Sequence, residues 1–160
     1  MSLLSWMEEG VTLRQLPKFI IGSALVSIIV SIIGLIIITR IGLDISSGVA
    51  KMTQLTTMAF LTKWVVAFFL EEMLFRAPLY VPIYFGWTNI LIPCVIILSG
   101  IFGWLHGGIG NIFIQGLAGL VFSIVFLKCG GMQREFWKGL FSSTATHTAS
   151  NALIIILSRI

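Results

Sequence analysis

The sequence predicts an all-α protein, a multi-pass transmembrane helical bundle of about five spans. Three observations carry that prediction. Hydrophobic residues make up 58% of the chain and charged residues 10%, with a mean hydropathy of +1.06, whereas a soluble domain runs at about 45–50% apolar and about 25% charged. The apolar residues fall into stretches of about 20, the length a helix needs to cross a hydrocarbon layer roughly 30 Å thick. The segments between them are short, so the 160 residues read as a single integral membrane domain, 1–160, with little left for an extramembrane unit. The formal net charge of +4 is spread as single basic residues near span ends. Such residues set topology and touch anionic headgroups, so the implied partner is the lipid bilayer and not nucleic acid.

Residues 1–18 form a polar, mildly amphipathic segment at the interface. Span one, Phe19 to Thr39, is too long for the roughly 7–15-residue apolar core of a signal peptide. It is followed by Arg40 rather than a cleavage site, and reads as a retained span. Ile41 to Gln54 reads as a loop or a half-submerged turn. Span two starts near Leu55 and runs past Glu71, Glu72 and Arg76, where Pro78 and Pro82 are expected to stop it by removing backbone donors. Span three covers Asn89 to His106, with a proline-tolerant kink at Pro93. Gly107 to Gly110 make a tight reversal into span four, Asn111 to Lys128, whose Gly116, Gly119 and Ser123 form a small-residue face suited to close helix packing. The polar connection Gly130 to Lys138 leads into span five, Phe136 to Ser158. Cys94 and Cys129 lack metal or redox spacing and read as buried free thiols. Trp64, Trp87 and Trp104 read as interfacial anchors. Arg14, Lys18, Lys128, Arg134 and Lys138 share one face, against Arg40, Lys51, Lys63 and Arg159 on the other, which favours a cytoplasmic N-terminus.

Three polar groups interrupt this apolar pattern. A charge at the centre of a span costs about 2.5–3.5 kcal/mol on insertion scales, and such residues usually face a bundle interior or a water-filled cavity. Glu72 and Arg76 are four apart and share a helix face. Glu71 lies about 100° round from Glu72 and has no local partner. The bland alternative is an interfacial cluster snorkelling to headgroups. The same dipeptide at Glu8 and Glu9 sits in the polar N-terminal segment and is a solvated face. In span three Phe102 and His106 are one turn apart, and in span five His147 and Asn151 are one turn apart. Taken singly these read as ordinary helix-end or interhelical hydrogen bonding. Together they put both histidines of the chain and an acidic pair into apolar helices.

A carboxylate, two imidazoles and a carboxamide from three helices can make a hydrolytic site. Glu71 is the candidate general base, with His106 polarising the attacking water. His147 and Asn151 would donate hydrogen bonds to the developing oxyanion. Glu72, Arg76 and Phe102 would support the catalytic groups from behind. No covalent nucleophile is evident. No cofactor is required on this reading; its variant is a Zn ion held by Glu71, His106 and His147, which are zinc-ligand types although HExxH is absent.

These residues carry a family resemblance. EEMLFR fits EExxxR, FGWLH fits FxxxH and HTASN fits HxxxN, in an order and helix placement that resembles the CPBP family. That family comprises type II CAAX prenyl proteases and bacterial Abi-like relatives associated with bacteriocin processing or immunity. The resemblance covers 62–157 and implies an intramembrane endopeptidase acting on a membrane-associated protein or peptide in a bacterial cytoplasmic membrane. It implies the general base at Glu71, water activation at His106 and the oxyanion site at His147 and Asn151, and it admits both a glutamate-dependent and a metal-dependent mechanism. Relatives often have two or more helices ahead of the catalytic ones, where this chain has one. Prenylated substrates are a eukaryotic feature, so a substrate without a prenyl group is expected. The competing classes are a non-catalytic bacteriocin-immunity or partner-binding protein and a proton-coupled carrier; the carrier is disfavoured by the lack of an internal repeat.

Overall fold

The computed structural model describes residues 2–43 and 57–157, with the side chains of 57–67 outside the description. Most of the expected 41–54 loop, the start of span two, Arg159 and the side chains of Lys63 and Trp64 thus lie outside the described residues. Among those described there are six helices and no strand. α1 is Leu3–Glu8, α2 Leu16–Arg40 and α3 Thr57–Tyr84. A 3-10 turn at Thr88–Ile90 leads into α4, Leu91–Leu105. α5 runs through Ile109–Gly131 with π-helical turns at Ile112–Gly116 and Leu127–Gly131, and α6 is Phe136–Leu157.

Four of these helical stretches are long and apolar enough to cross a membrane: α2, Thr88–Leu105, α5 and α6. The fifth long helix, α3, has 28 residues, about 42 Å at 1.5 Å per residue, and carries the Glu71–Glu72–Arg76 cluster. α5 lies at the centre, packing on α2, α4 and α6, and α3 closes the bundle against α4 and α6. α2 is the outer member: 22% of its apolar window is buried, against 61% for α5. Exposed isoleucines along it, such as Ile29, Ile32 and Ile36, suit contact with lipid.

The prolines of α3 do not end it. Pro78 and Pro82 are inside the helix, which continues to Tyr84. Phe75, Leu79 and Ile83, spaced by four, are all buried and hold the last turns on the core, so two lost backbone bonds do not outweigh the packing. Pro93 lies in the first turn of α4, where its missing N–H costs nothing, rather than at an internal kink. The reversal after α4 is as expected: Gly107 and Gly108 take φ of 143° and 84°, which glycine adopts without penalty, and α5 begins at once at Ile109. The small face of α5 packs on α4, with Gly116 and Gly119 against Ser99 and Ser123 Oγ 3.4 Å from Ser99 Oγ. α2 is tied to the bundle by Ser27 and Ser150, whose hydroxyls lie 2.6 Å apart, and by Ser31 donating to the Ile114 carbonyl at 3.2 Å.

The N-terminal segment is more than an interfacial tail. Met7 and Val11 are buried, and Gln133 donates to the Met7 and Glu8 carbonyls at 2.8 and 3.0 Å. α1 therefore sits on the same end of the bundle as Lys128 and the α5–α6 connection. Both cysteines are free, Cys129 buried and Cys94 half-buried. Trp87 and Trp104 are exposed, as anchors should be.

Candidate active site

The three motifs converge between α3, α4 and α6. Glu71 is thirteen residues before the end of α3 and His147 eleven after the start of α6, about 20 and 17 Å from the same end of the bundle. Both therefore sit near mid-depth. Antiparallel packing of α3 on α6 brings them to one level.

Glu72 and Arg76 form the buried anchor. Both side chains are fully buried and Arg76 Nε donates to Glu72 Oε2 at 3.1 Å. That burial rules against snorkelling to headgroups. Glu72 Oε2 also accepts from the Ser143 hydroxyl, and Glu72 Oε1 lies 3.0 Å from His147 Nδ1. The carboxylate thus ties α3 to two turns of α6. The terminal nitrogens of Arg76 have no hydrogen-bond partner. Its guanidinium carbon lies 5.4 and 5.9 Å from the ring centres of Phe102 and Phe122, within reach of cation–π attraction.

Glu71 points the other way, as the helical offset requires. It is 31% exposed, yet its Oε2 is buried and has no hydrogen-bond partner. Two imidazole nitrogens face that oxygen: His106 Nε2 at 3.9 Å and His147 Nε2 at 4.0 Å. The other nitrogen of each ring is occupied. His106 Nδ1 lies 2.7 Å from the Phe102 carbonyl, which can only accept, so the proton is on Nδ1 and a neutral His106 offers the Nε2 lone pair. His147 Nδ1 donates to the Glu72 carboxylate in the same way. Both rings are held by aromatic neighbours: His147 stacks on Phe122 at 4.5 Å and lies 4.3 Å from Phe68, while His106 lies 4.3 Å from Phe102.

Asn151 follows one turn after His147, is nearly buried, and its Nδ2 has no hydrogen-bond partner. Phe102 is fully buried and contributes both its carbonyl and its ring to the two histidines. Six of the seven candidate residues are thus linked by these contacts, with Glu71 Oε2 facing both imidazoles, and Asn151 stands one helical turn beyond His147.

Four contributors escaped the sequence reading: Ser143, Phe68, Phe122, and Phe75, whose ring meets that of Phe102 edge-on at 5.1 Å. Ser143 stands one turn before His147, and the same four-residue spacing that exposed Glu72–Arg76 could have flagged it. Phe68, Phe75 and Phe122 are ordinary apolar residues by sequence, and no local signal separates them from lipid-facing phenylalanines. Phe122 brings α5 into the site, although the sequence pointed to α3, α4 and α6 only. By donor type a carboxylate oxygen and two Nε2 lone pairs suit a zinc ion. Ligand atoms about 2.0–2.1 Å from a tetrahedral centre lie roughly 3.3 Å apart, so holding one would require each imidazole nitrogen to approach Glu71 Oε2 by about 0.6–0.7 Å from the 3.9 and 4.0 Å seen here.

Residues 53–153 match the family described as type II CAAX prenyl endopeptidase Rce1-like. The match takes in α3, α4, α5 and α6 as far as Leu153, with every residue of the cluster, and leaves out α1 and α2. Curated proteins and solved structures give no match.

Proposed function

The chain belongs to the type II CAAX prenyl endopeptidase Rce1-like family, among the CPBP intramembrane proteases, and from that premise we propose that Glu71 is the general base of a glutamate-dependent peptide hydrolysis within the membrane. As a member the chain is an integral membrane protease of the CAAX type. The observation that carries the finer reading is the buried, unpartnered Oε2 of Glu71 with two imidazole nitrogens at 3.9 and 4.0 Å. These separations are too long for hydrogen bonds and suit groups that share a water.

The water donates one hydrogen to Glu71 Oε2 and the other to His106 Nε2, which leaves its lone pairs free for the substrate carbonyl. Glu71 takes the proton as the oxygen attacks, and passes it to the departing amine nitrogen when the C–N bond breaks; the products are a carboxylic acid and an amine. The Asn151 Nδ2–H group, without another partner, donates to the oxyanion of the tetrahedral intermediate. His147 can join it as a donor only when both ring nitrogens carry protons, with Glu72 at 3.0 Å as the counter-charge. The substrate is a membrane-associated protein or peptide, with no prenyl group required. In the metal-dependent variant Glu71, His106 and His147 would hold a zinc ion, which supplies Lewis-acid activation of water.

The test compares new protein termini in membranes of cells expressing the wild type or Glu71→Gln at matched levels. Glu71→Gln keeps shape and removes the base, so cleavage is expected to fall by about 10²–10⁴-fold. The purified wild type should keep its activity after dialysis against a chelator. Loss on chelation and recovery with zinc would replace the water mechanism by the metal one. Identical termini in wild type and variant would overturn the protease reading and favour an immunity or partner-binding protein.

A further inference from the structure

At the end of the bundle where α1 folds onto α2 and α5 there is a pocket of about 650 Å³, and it shares no residue with the cluster around Glu71. Its polar wall is made by Glu9, Gln15, Lys18 and Lys128, and its aromatic wall by Trp6 and Phe19. Lys128 is a lysine buried to 5% exposure. It donates to the Trp6 carbonyl, sits 4.3 Å from the Trp6 ring centre and lies 3.8 Å from the exposed Glu9 carboxylate. Lys18 is exposed and has no anionic partner among the described residues. Two cations therefore face one carboxylate across this pocket.

A second cavity, of about 400 Å³, shares Trp6, Lys18 and Phe19 with the first and is lined beyond them by Gly22, Ser23, Val26, Val121 and Ile124. Its residues step inward in register: 18, 22 and 26 descend α2 while 124 and 121 descend the antiparallel α5, one turn below the Lys128 of the first pocket. The groove runs about 12 Å into the depth where α2 carries no charge. A basic chamber at the level where the apolar run begins thus opens into an apolar groove along the span. That order of polarity is the order of polarity along a phospholipid.

We propose that this compartment binds one anionic phospholipid of the surrounding membrane. Its phosphate lies against Lys18 and Lys128, its glycerol level lies beside Trp6 and Phe19, and an acyl chain fills the groove between α2 and α5. Basic residues at the membrane surface select anionic over zwitterionic headgroups, and tryptophan favours the headgroup level. The site lies on α1, α2 and the last turns of α5, and stands independently of the proteolytic reading.

The test is native mass spectrometry of the full-length chain in a non-ionic detergent, titrated with phosphatidylglycerol, phosphatidylcholine or inorganic phosphate. One phosphatidylglycerol should be retained at least tenfold more tightly than phosphatidylcholine. Lys18→Glu should weaken it about tenfold. Gly22 lines the groove and a Cβ there meets no atom within 4 Å, so Gly22→Leu should be accommodated by the backbone and prevent retention. Unfolding temperatures of both variants without lipid should match the wild type. Equal retention of the two lipids, unchanged binding in either variant, or inorganic phosphate binding as tightly as phosphatidylglycerol would each overturn the proposal.

Discussion

Glu71 and Glu72 are neighbours in sequence with opposite duties, and the difference is one of environment. Glu72 is fully buried and satisfied by Arg76, Ser143 and His147; Glu71 is partly exposed with its inner oxygen unpartnered. Removing one partner of a buried ion pair leaves the other charge uncompensated, at about 3–5 kcal/mol. Glu72→Ala is therefore expected to destabilise the protein by about that much in detergent unfolding measurements, while Glu71→Gln, outside that network, should change stability by less than about 1 kcal/mol. Comparable losses in the two variants would contradict this division of labour. The sequence pointed to it, because a four-residue offset pairs Glu72 with Arg76 and excludes Glu71. It could not supply the partners on α6: Glu72 meets Ser143 and His147 across 71 and 75 residues, and no local spacing encodes either contact.

At the scale of elements, the helices of the site are held by close backbone approach rather than by side-chain bulk. A Cβ on Gly103 would lie 2.6–2.7 Å from Asn111 O, Gly116 N and Ile112 Cα, all backbone atoms of α5 that cannot rotate away. Gly103→Val is expected to force α4 and α5 apart at a cost of about 1–3 kcal/mol or more. It should also lower cleavage, since His106 is three residues further along the same turn. Unfolding and cleavage assays on one preparation check both, and an unchanged cleavage rate would show that the α4–α5 spacing does not position His106. The small-residue face of α5 was legible because glycine and serine recur at helical spacing. The passage of α3 through Pro78 and Pro82 was not, because a proline breaks a helix in isolation and is overridden only by the buried row Phe75, Leu79 and Ile83.

For the whole molecule, the alternating direction of the five long helices, four of them long and apolar enough to cross a membrane, places the end of α2 near Gly42 and the α5–α6 connection at opposite ends of the bundle. α1, Lys128 and Gln133 meet at one end, the end that carries Arg14, Lys18, Arg134 and Lys138. Cysteines introduced at Gly42 and Arg134 should therefore be modified from opposite sides by a membrane-impermeant thiol reagent in intact cells, with position 134 protected inside by the positive-inside rule. Labelling of both from outside would require a different number of crossings. The sequence by itself determined the helical class, the spans as apolar stretches of membrane length, and the polar residues Glu71, Glu72, Arg76, His106, His147 and Asn151 as the ones to watch, since hydropathy, helical offset and the expense of intramembrane charge are all local quantities. Tertiary structure decided what those residues face: that both histidines turn Nε2 to Glu71, that Glu72 fixes one of them, that Phe122 of α5 joins the site, and that α1 closes a basic chamber over α2. These are contacts between helices far apart in the chain, and they follow from packing in three dimensions, which no single helix contains.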